Sequence, residues 1–170
     1  MGNISPDCID VREFKDHTHF RDLPEESRLD ALRALALSYD WRNDEYLFGI
    51  IFHLFADYTW DTGPQRLHRE LYRGDDWFHD YRREINEAGR SIYARYPWSS
   101  ALWDDMARLA PSFYSGAPEY PPEEIKRFIL HGKERAAVPC SSPSDIFTPD
   151  AVDSYASDTA ARFTEFMKSI

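Results

Sequence analysis

The chain has 170 residues, 42% of them hydrophobic and 15% aromatic, enough for one domain with a sizeable core. Acidic side chains outnumber basic ones by 30 to 20, and a net charge of −10 disfavours non-specific binding to nucleic acid. Cys8 and Cys140 supply neither a disulfide framework nor a thiolate zinc site. With no signal-peptide core and no run of about eighteen apolar residues, the expected location is cytoplasmic, without stable membrane insertion.

The opening Gly2-Asn3-Ile4-Ser5-Pro6-Asp7 reads as a turn. A helix is expected from Pro24 to about Asp40–Asn43, with Leu29, Leu32, Leu35 and Leu37 as its apolar side. Asp44 is placed to cap the next helix, Glu45 to about Asp61, whose sequence EYLFGIIFHLFADYTWD is apolar nearly all round. That pattern marks a helix buried in the middle of a domain, and Thr62-Gly63-Pro64 ends it. A short helix over Gln65–Tyr72 precedes a long one from Asp75 or Asp76 to Tyr96, which Pro97 stops.

In the second half, Ser99 or Ser100 caps a helix through Leu109, and Pro121-Pro122-Glu123-Glu124 starts another reaching about Arg135. Pro111 to Pro122 reads as a loop, and Ala136 to Pro149 as an extended connection. Thr148-Pro149-Asp150 opens a last helix with Val152, Tyr155, Ala156, Phe163 and Phe166 on apolar positions. There is no strand pair and no internal repeat, so the expected fold is all-α, one multi-helix domain over residues 1–170.

Chemistry concentrates on the apolar helix. His53 and Asp57 are four apart and share a face, with Gly49 one turn before and Asp61 one turn after. Burying a His and an Asp is costly unless something satisfies them, and a metal ion does so through imidazole nitrogen and carboxylate oxygen. Gly49 would leave room for an ion or for a second ligand-bearing segment. A plain hydrogen-bonded His53–Asp57 pair satisfies the same spacing. Upstream, Asp7, Asp10, His17 and His19 are further donor types, each unremarkable as a cap or surface residue. On the long helix Asp80, Glu84 and Glu87 form one stripe, and Arg82, Arg83 and Arg90 beside it suit an ordinary salt-bridged outer face. His68 and His131 read as surface residues. Gly-rich phosphate loops and Gly-x-Ser-x-Gly elbows are missing.

Gly2-Asn3-Ile4-Ser5-Pro6-Asp7, then Thr18-His19-Phe20-Arg21-Asp22, then Tyr46-Leu47-Phe48-Gly49 running into His53-Leu54 and Asp57-Tyr58-Thr59-Trp60-Asp61 follow in order. This combination resembles the small bacterial relatives of zinc-dependent phospholipase C, over roughly the first 90 residues. The resemblance implies an all-helical domain that holds one to three zinc ions and hydrolyses phosphate esters. On it, Asp7, His19, His53 and Asp57 match ligand positions, Asp80 matches an Asp of the following helix, and Glu84 is a further ligand candidate. Residues 1–96 then form the metal-site half and 97–170 complete the bundle. Relatives carry a helix with a further histidine ahead of the Pro-Asp turn; with Met1-Gly2 at the turn, the expectation is a bundle lacking that first family helix and open to a second copy of the chain.

The implied mechanism has metal ions activating a water and neutralising phosphoryl charge, with Asp57 bridging and Asp7 orienting the water or binding metal. Tyr58, Trp60 and Trp77 are candidates for lining the mouth against the leaving group of a small phosphate-ester or lipid-like substrate, or else are ordinary core aromatics. Two other readings compete: a non-catalytic helical interaction protein, and a degenerate relative whose metal site is structural or incomplete.

Overall fold

The computed structural model describes residues 2–109 and 120–170. A 3-10 turn at Ser5–Asp7 leads into α1 (Arg12–Thr18) and α2 (Glu25–Leu37); a second turn, Trp41–Asn43, precedes α3 (Glu45–Thr62). Then come α4 (Pro64–Leu71), α5 (Trp77–Arg95), α6 (Ser99–Leu109), α7 (Pro122–Ala136) and α8 (Pro149–Lys168). Among the described residues the chain is a multi-helix bundle without strands, and none of its helices is long and apolar enough to cross a membrane. The loop expected over Pro111–Pro122 lies almost entirely outside the described residues.

The helix starts obey local chemistry. Asp44 accepts from the amides of Tyr46 and Leu47, Asp76 from His79, and Thr148 from Ala151, each satisfying donors that a helix N-terminus leaves open. α1 is the helix that periodicity did not announce: it is two turns long and buries no residue, so Arg12–Thr18 carries no apolar stripe.

α3 is the axis of the bundle and packs against α2, α4, α8 and both 3-10 turns. It buries Tyr46, Leu47, Ile50, Ile51, Leu54, Phe55 and Thr59, as its all-round apolar sequence requires. One cluster joins these to Leu32 and Ala36 of α2, Ile125 and Ile129 of α7, and Phe163 and Phe166 of α8, so both halves of the chain share a core. The Phe163 ring lies 5.1–5.5 Å from those of Phe48, Phe52 and Phe55; of these Phe163 and Phe55 are buried, and a fully buried side chain of this kind contributes about 1.5–3 kcal/mol. Leu37, expected on the apolar side of α2, is instead exposed. Five positions after Leu32 it is rotated well off the buried stripe.

A second cluster gathers Tyr81, Ala88 and Phe147 with Trp60, Trp77, Ile85, Ile146 and Val152. It fastens the connection between α7 and α8 onto α5. Glu87 of α5 is buried and accepts from the Ser141 amide (2.9 Å), the Ser142 amide (3.5 Å) and Arg90 Nη1 (2.5 Å). The Ser141 amide, with the Cys140 side chain, the Ser142 amide and Arg90, outweighs burial and holds the Glu87 carboxyl down at about 2, against an ordinary 4.5. The stripe expected as an outer face therefore serves as an anchor. A folded-state pKa below the unfolded one gives stability that is full above about 4.5 and is lost as the pH falls towards about 2. Glu87→Gln should lower Tm by about 2–4 °C at neutral pH. In thermal melts against pH, its gap to wild type should close across that acid window; a gap constant with pH would refute the anchoring role of the charge.

Candidate metal centre

Three segments meet at one point. The first is the turn carrying Asn3 and Asp7, which packs between α1 and α3. The approach of turn to helix depends on glycine at two places: a Cβ at Gly49 would lie 2.7 Å from the Asn3 amide, and one at Gly2 would overlap the Tyr46 carbonyl. Gly49 thus leaves room for a second segment, the turn that carries Asn3 and Asp7.

The second segment is the end of α1. The Phe20 amide donates to the His17 carbonyl and the Arg21 amide to the Asp16 carbonyl, the pair of bonds that closes a Schellman motif. The left-handed position of that motif ordinarily holds glycine; here it is Phe20, at φ 57°. The strained residue stands between His19, turned inward, and Arg21, turned towards α3. Its ring packs against the main core, which offsets the backbone cost.

The third segment is the stripe of α3 bearing His53, Asp57 and Asp61. The Nε2 atoms of His19 and His53 are 3.0 Å apart. Asp7 Oδ1 lies 3.7 Å from the His19 Nε2, and Asp57 Oδ2 lies 3.5 Å from that atom and 3.9 Å from the His53 Nε2. Donor atoms of Asp7, His19 and His53 fall within 4.8 Å of one another. Tetrahedral zinc ligands are separated by roughly 3.3 Å, as bond lengths near 2.0–2.1 Å dictate, so the 3.0–3.9 Å spacings around the two Nε2 atoms need shifts of about half an ångström.

The protonation pattern is informative. His19 Nδ1 is 2.8 Å from the Lys15 carbonyl and His53 Nδ1 is 3.0 Å from the Asn3 carbonyl. A carbonyl only accepts, so both Nδ1 atoms carry a proton; with both rings neutral the facing Nε2 atoms present lone pairs to each other, which a shared proton or a metal ion would satisfy. Burial, the largest influence on His19, and the neighbouring His53 and Arg21 outweigh Asp57 and Asp7 and push its proton affinity below the ordinary histidine value of 6.5. Burial pushes the Asp7 carboxyl up, but His53, Lys15 and His19 more than offset this, so Asp7 ionises below its ordinary 3.8. Two lone pairs flanked by carboxylates call for a cation, and imidazoles fixed by backbone carbonyls are the usual support of a metal ligand.

Protein cations already contact the carboxylates. Lys15 Nζ is 3.3 Å from Asp7 Oδ1, and Arg21 Nη2 donates to Asp57 Oδ2 at 2.8 Å. Arg21 also grips Asp61 through Nε (2.9 Å) and Nη2 (3.2 Å), and Arg28 Nη2 holds Asp61 Oδ2 at 2.8 Å. Sequence reasoning missed Lys15, Arg21 and Arg28 in these roles, and only the helical spacing of Asp61 from Asp57 hinted at any part of the network.

The remaining candidates have partners elsewhere. Asp80 accepts from the Tyr72 hydroxyl at 2.6 Å and from Arg83, and Glu84 accepts from Ser144 Oγ at 2.6 Å. Neither belongs to the donor group formed by Asp7, His19 and His53. Tyr58 lies under the Arg28 guanidinium, Trp60 donates to Tyr81 and packs on Phe147 and Tyr155, and Trp77 lies under Arg69. Trp60 lines an apolar pocket of about 440 Å³ between α3, α4 and α8, and Tyr58 a different one. The aromatic trio does not form one mouth. His68, expected at the surface, is buried: it stacks on Phe147 and Tyr72, and its Nε2 is 3.5 Å from Glu84. Phe147 arrives from far along the chain, which no local pattern announces. His131 and His17 are exposed, and His17 pairs with Asp22. Cys8 and Cys140 are free thiols, and burial pushes Cys8 up to about 11.

Comparison of the chain with protein-family models, curated proteins and solved structures gives no match.

Proposed function

We propose that the chain is a divalent-metal-dependent hydrolase of phosphate esters or phosphodiesters, with zinc as the ion and a bundle of the small zinc-dependent phospholipase C type. The observation that carries this reading is the pair of imidazole Nε2 atoms 3.0 Å apart, on rings each fixed by a backbone carbonyl and flanked by Asp7 and Asp57. An ion there would supply a water nucleophile at neutral pH and screen charge on the phosphoryl oxygens. His19 and His53 would hold it through Nε2. Asp57, whose Oδ2 faces both rings, completes the set, and Asp7 either joins it or orients the attacking water as an ionised acceptor. These donors suit one ion; Asp80 and Glu84, engaged elsewhere, offer no second set.

Metal analysis by mass spectrometry on protein purified with zinc tests this. One equivalent is expected in wild type and almost none in the double variant His53→Ala, Asp57→Ala, with hydrolysis of bis(p-nitrophenyl) phosphate following metal content. Near-zero zinc in both proteins would end the reading. The contacts of Lys15 with Asp7 and of Arg21 with Asp57 favour a second one, a non-catalytic helical protein whose carboxylates are neutralised internally. Its signature is indifference of both Tm and fold to EDTA.

A further inference from the structure

We propose that Arg21 is the residue of this site that recognises the anionic phosphoryl group of the substrate. The proposal rests on the metal-dependent reading above and adds the side chain that binds the phosphoryl charge.

Arg21 belongs to two places at once. Its guanidinium touches Asp57 Oδ2, the oxygen that faces both imidazoles, and its side chain lines an open cleft of about 850 Å³ beside α1. The other charged groups of that cleft pair among themselves, Arg12 with Asp16 at 2.8 Å and His17 with Asp22 at 2.9 Å, Glu13 apart, whereas Arg21 turns its Nε and Nη2 to Asp57 and Asp61. Arg21 Nη1 has no hydrogen-bond partner among the described residues, and about a third of the side chain is exposed.

The competition at Asp57 gives the residue its second function. An ion and Arg21 Nη2 seek the same carboxylate oxygen. Were an ion to take it, Nη2 would lose that bond and keep only the longer one to Asp61 Oδ1 (3.2 Å), while Asp61 would still hold Nε and Arg28 would keep Asp61 in place. The result would be a guanidinium tethered to Asp61 along its Nε–Nη2 edge, with Nη1 and one N–H of Nη2 available to the oxygens of a phosphoryl group. The Schellman turn at Phe20 fixes the backbone from which Arg21 reaches across.

Calorimetry on wild type, Arg21→Met and Arg21→Lys tests the idea, first with zinc alone and then with inorganic phosphate added to the zinc-loaded proteins. Arg21→Met should bind zinc several-fold more tightly, since a competing cation is gone, and phosphate about 10- to 100-fold more weakly. Arg21→Lys keeps the charge but not the fork and should lose several-fold in phosphate affinity. If Arg21→Met does not fold, the lysine variant decides. Zinc binding with phosphate affinity unchanged in the folded variants would overturn the role of Arg21 while leaving the metal reading intact. Absence of zinc binding by wild type would overturn both.

Discussion

Saturating zinc should raise the melting temperature by about 8–16 °C, and EDTA should reverse the rise. An ion at a thousand times its dissociation constant stabilises a folded chain by about 4 kcal/mol, and each kcal/mol moves Tm by roughly 2–4 °C at this size. His19→Ala and His53→Ala should each abolish the shift, because each removes one of the two facing nitrogens. Asp80→Ala and Glu84→Ala should keep it, since Tyr72, Arg83 and Ser144 are their partners; loss of the shift in either would restore them as ligands. The response should also weaken in acid. His19 is depressed by burial below its ordinary 6.5, so its neutral ring stabilises the fold above that pH and the contribution is lost as the pH falls through the lower folded value. Protons then compete with zinc for the same lone pair. Differential scanning fluorimetry across pH with and without zinc reads both effects, and a zinc shift independent of His19 and His53 would sink the assignment.

Gly49→Val should cost about 3 kcal/mol, or roughly 6–12 °C in Tm, and should remove the zinc response as well. The cost arises because the new side chain meets backbone, the Asn3 amide and the Gly2 carbonyl carbon, which cannot swing away as a side-chain tip can. The turn must retreat from α3, taking with it the Asn3 carbonyl that orients His53 and the Asp7 carboxylate. Gly89→Ala on α5 is the matched control. A Cβ there meets nothing within 4 Å, so the helix propensity of alanine should raise stability by about 0.5–1 kcal/mol. Equal effects at the two glycines would contradict the close approach.

How much of this was legible in the sequence depended on range. α3 could be read because its composition and its cap at Asp44 are local, and the spacing of His53 and Asp57 places both on one stripe whatever the tertiary fold. That Asp7 and His19 converge on that stripe was implied only by resemblance, because the contacts with α3 join segments over thirty positions apart. Asp80 and Glu84 shared a stripe with Glu87, but nothing in that stripe said that it would face Tyr72 and the α7–α8 connection. His68 looked like a surface residue because its burial is made by Phe147, a partner from another part of the chain. Arg21 sits in a quoted motif, yet its reach to Asp57 and Asp61 follows from the left-handed Phe20, where side-chain preference alone argues against the conformation.

The packing of α8 on α3 carries a consequence for the order of assembly. Every candidate donor of the site is synthesised by Asp57, but the helix bearing His53 and Asp57 is covered by Phe163 and Phe166, which follow more than a hundred positions later. Until they arrive, α3 keeps much of its apolar side in water and cannot hold two imidazoles at a fixed separation. The centre is encoded early and completed late, so its maturation waits on contacts of long sequence separation that themselves contribute no ligand.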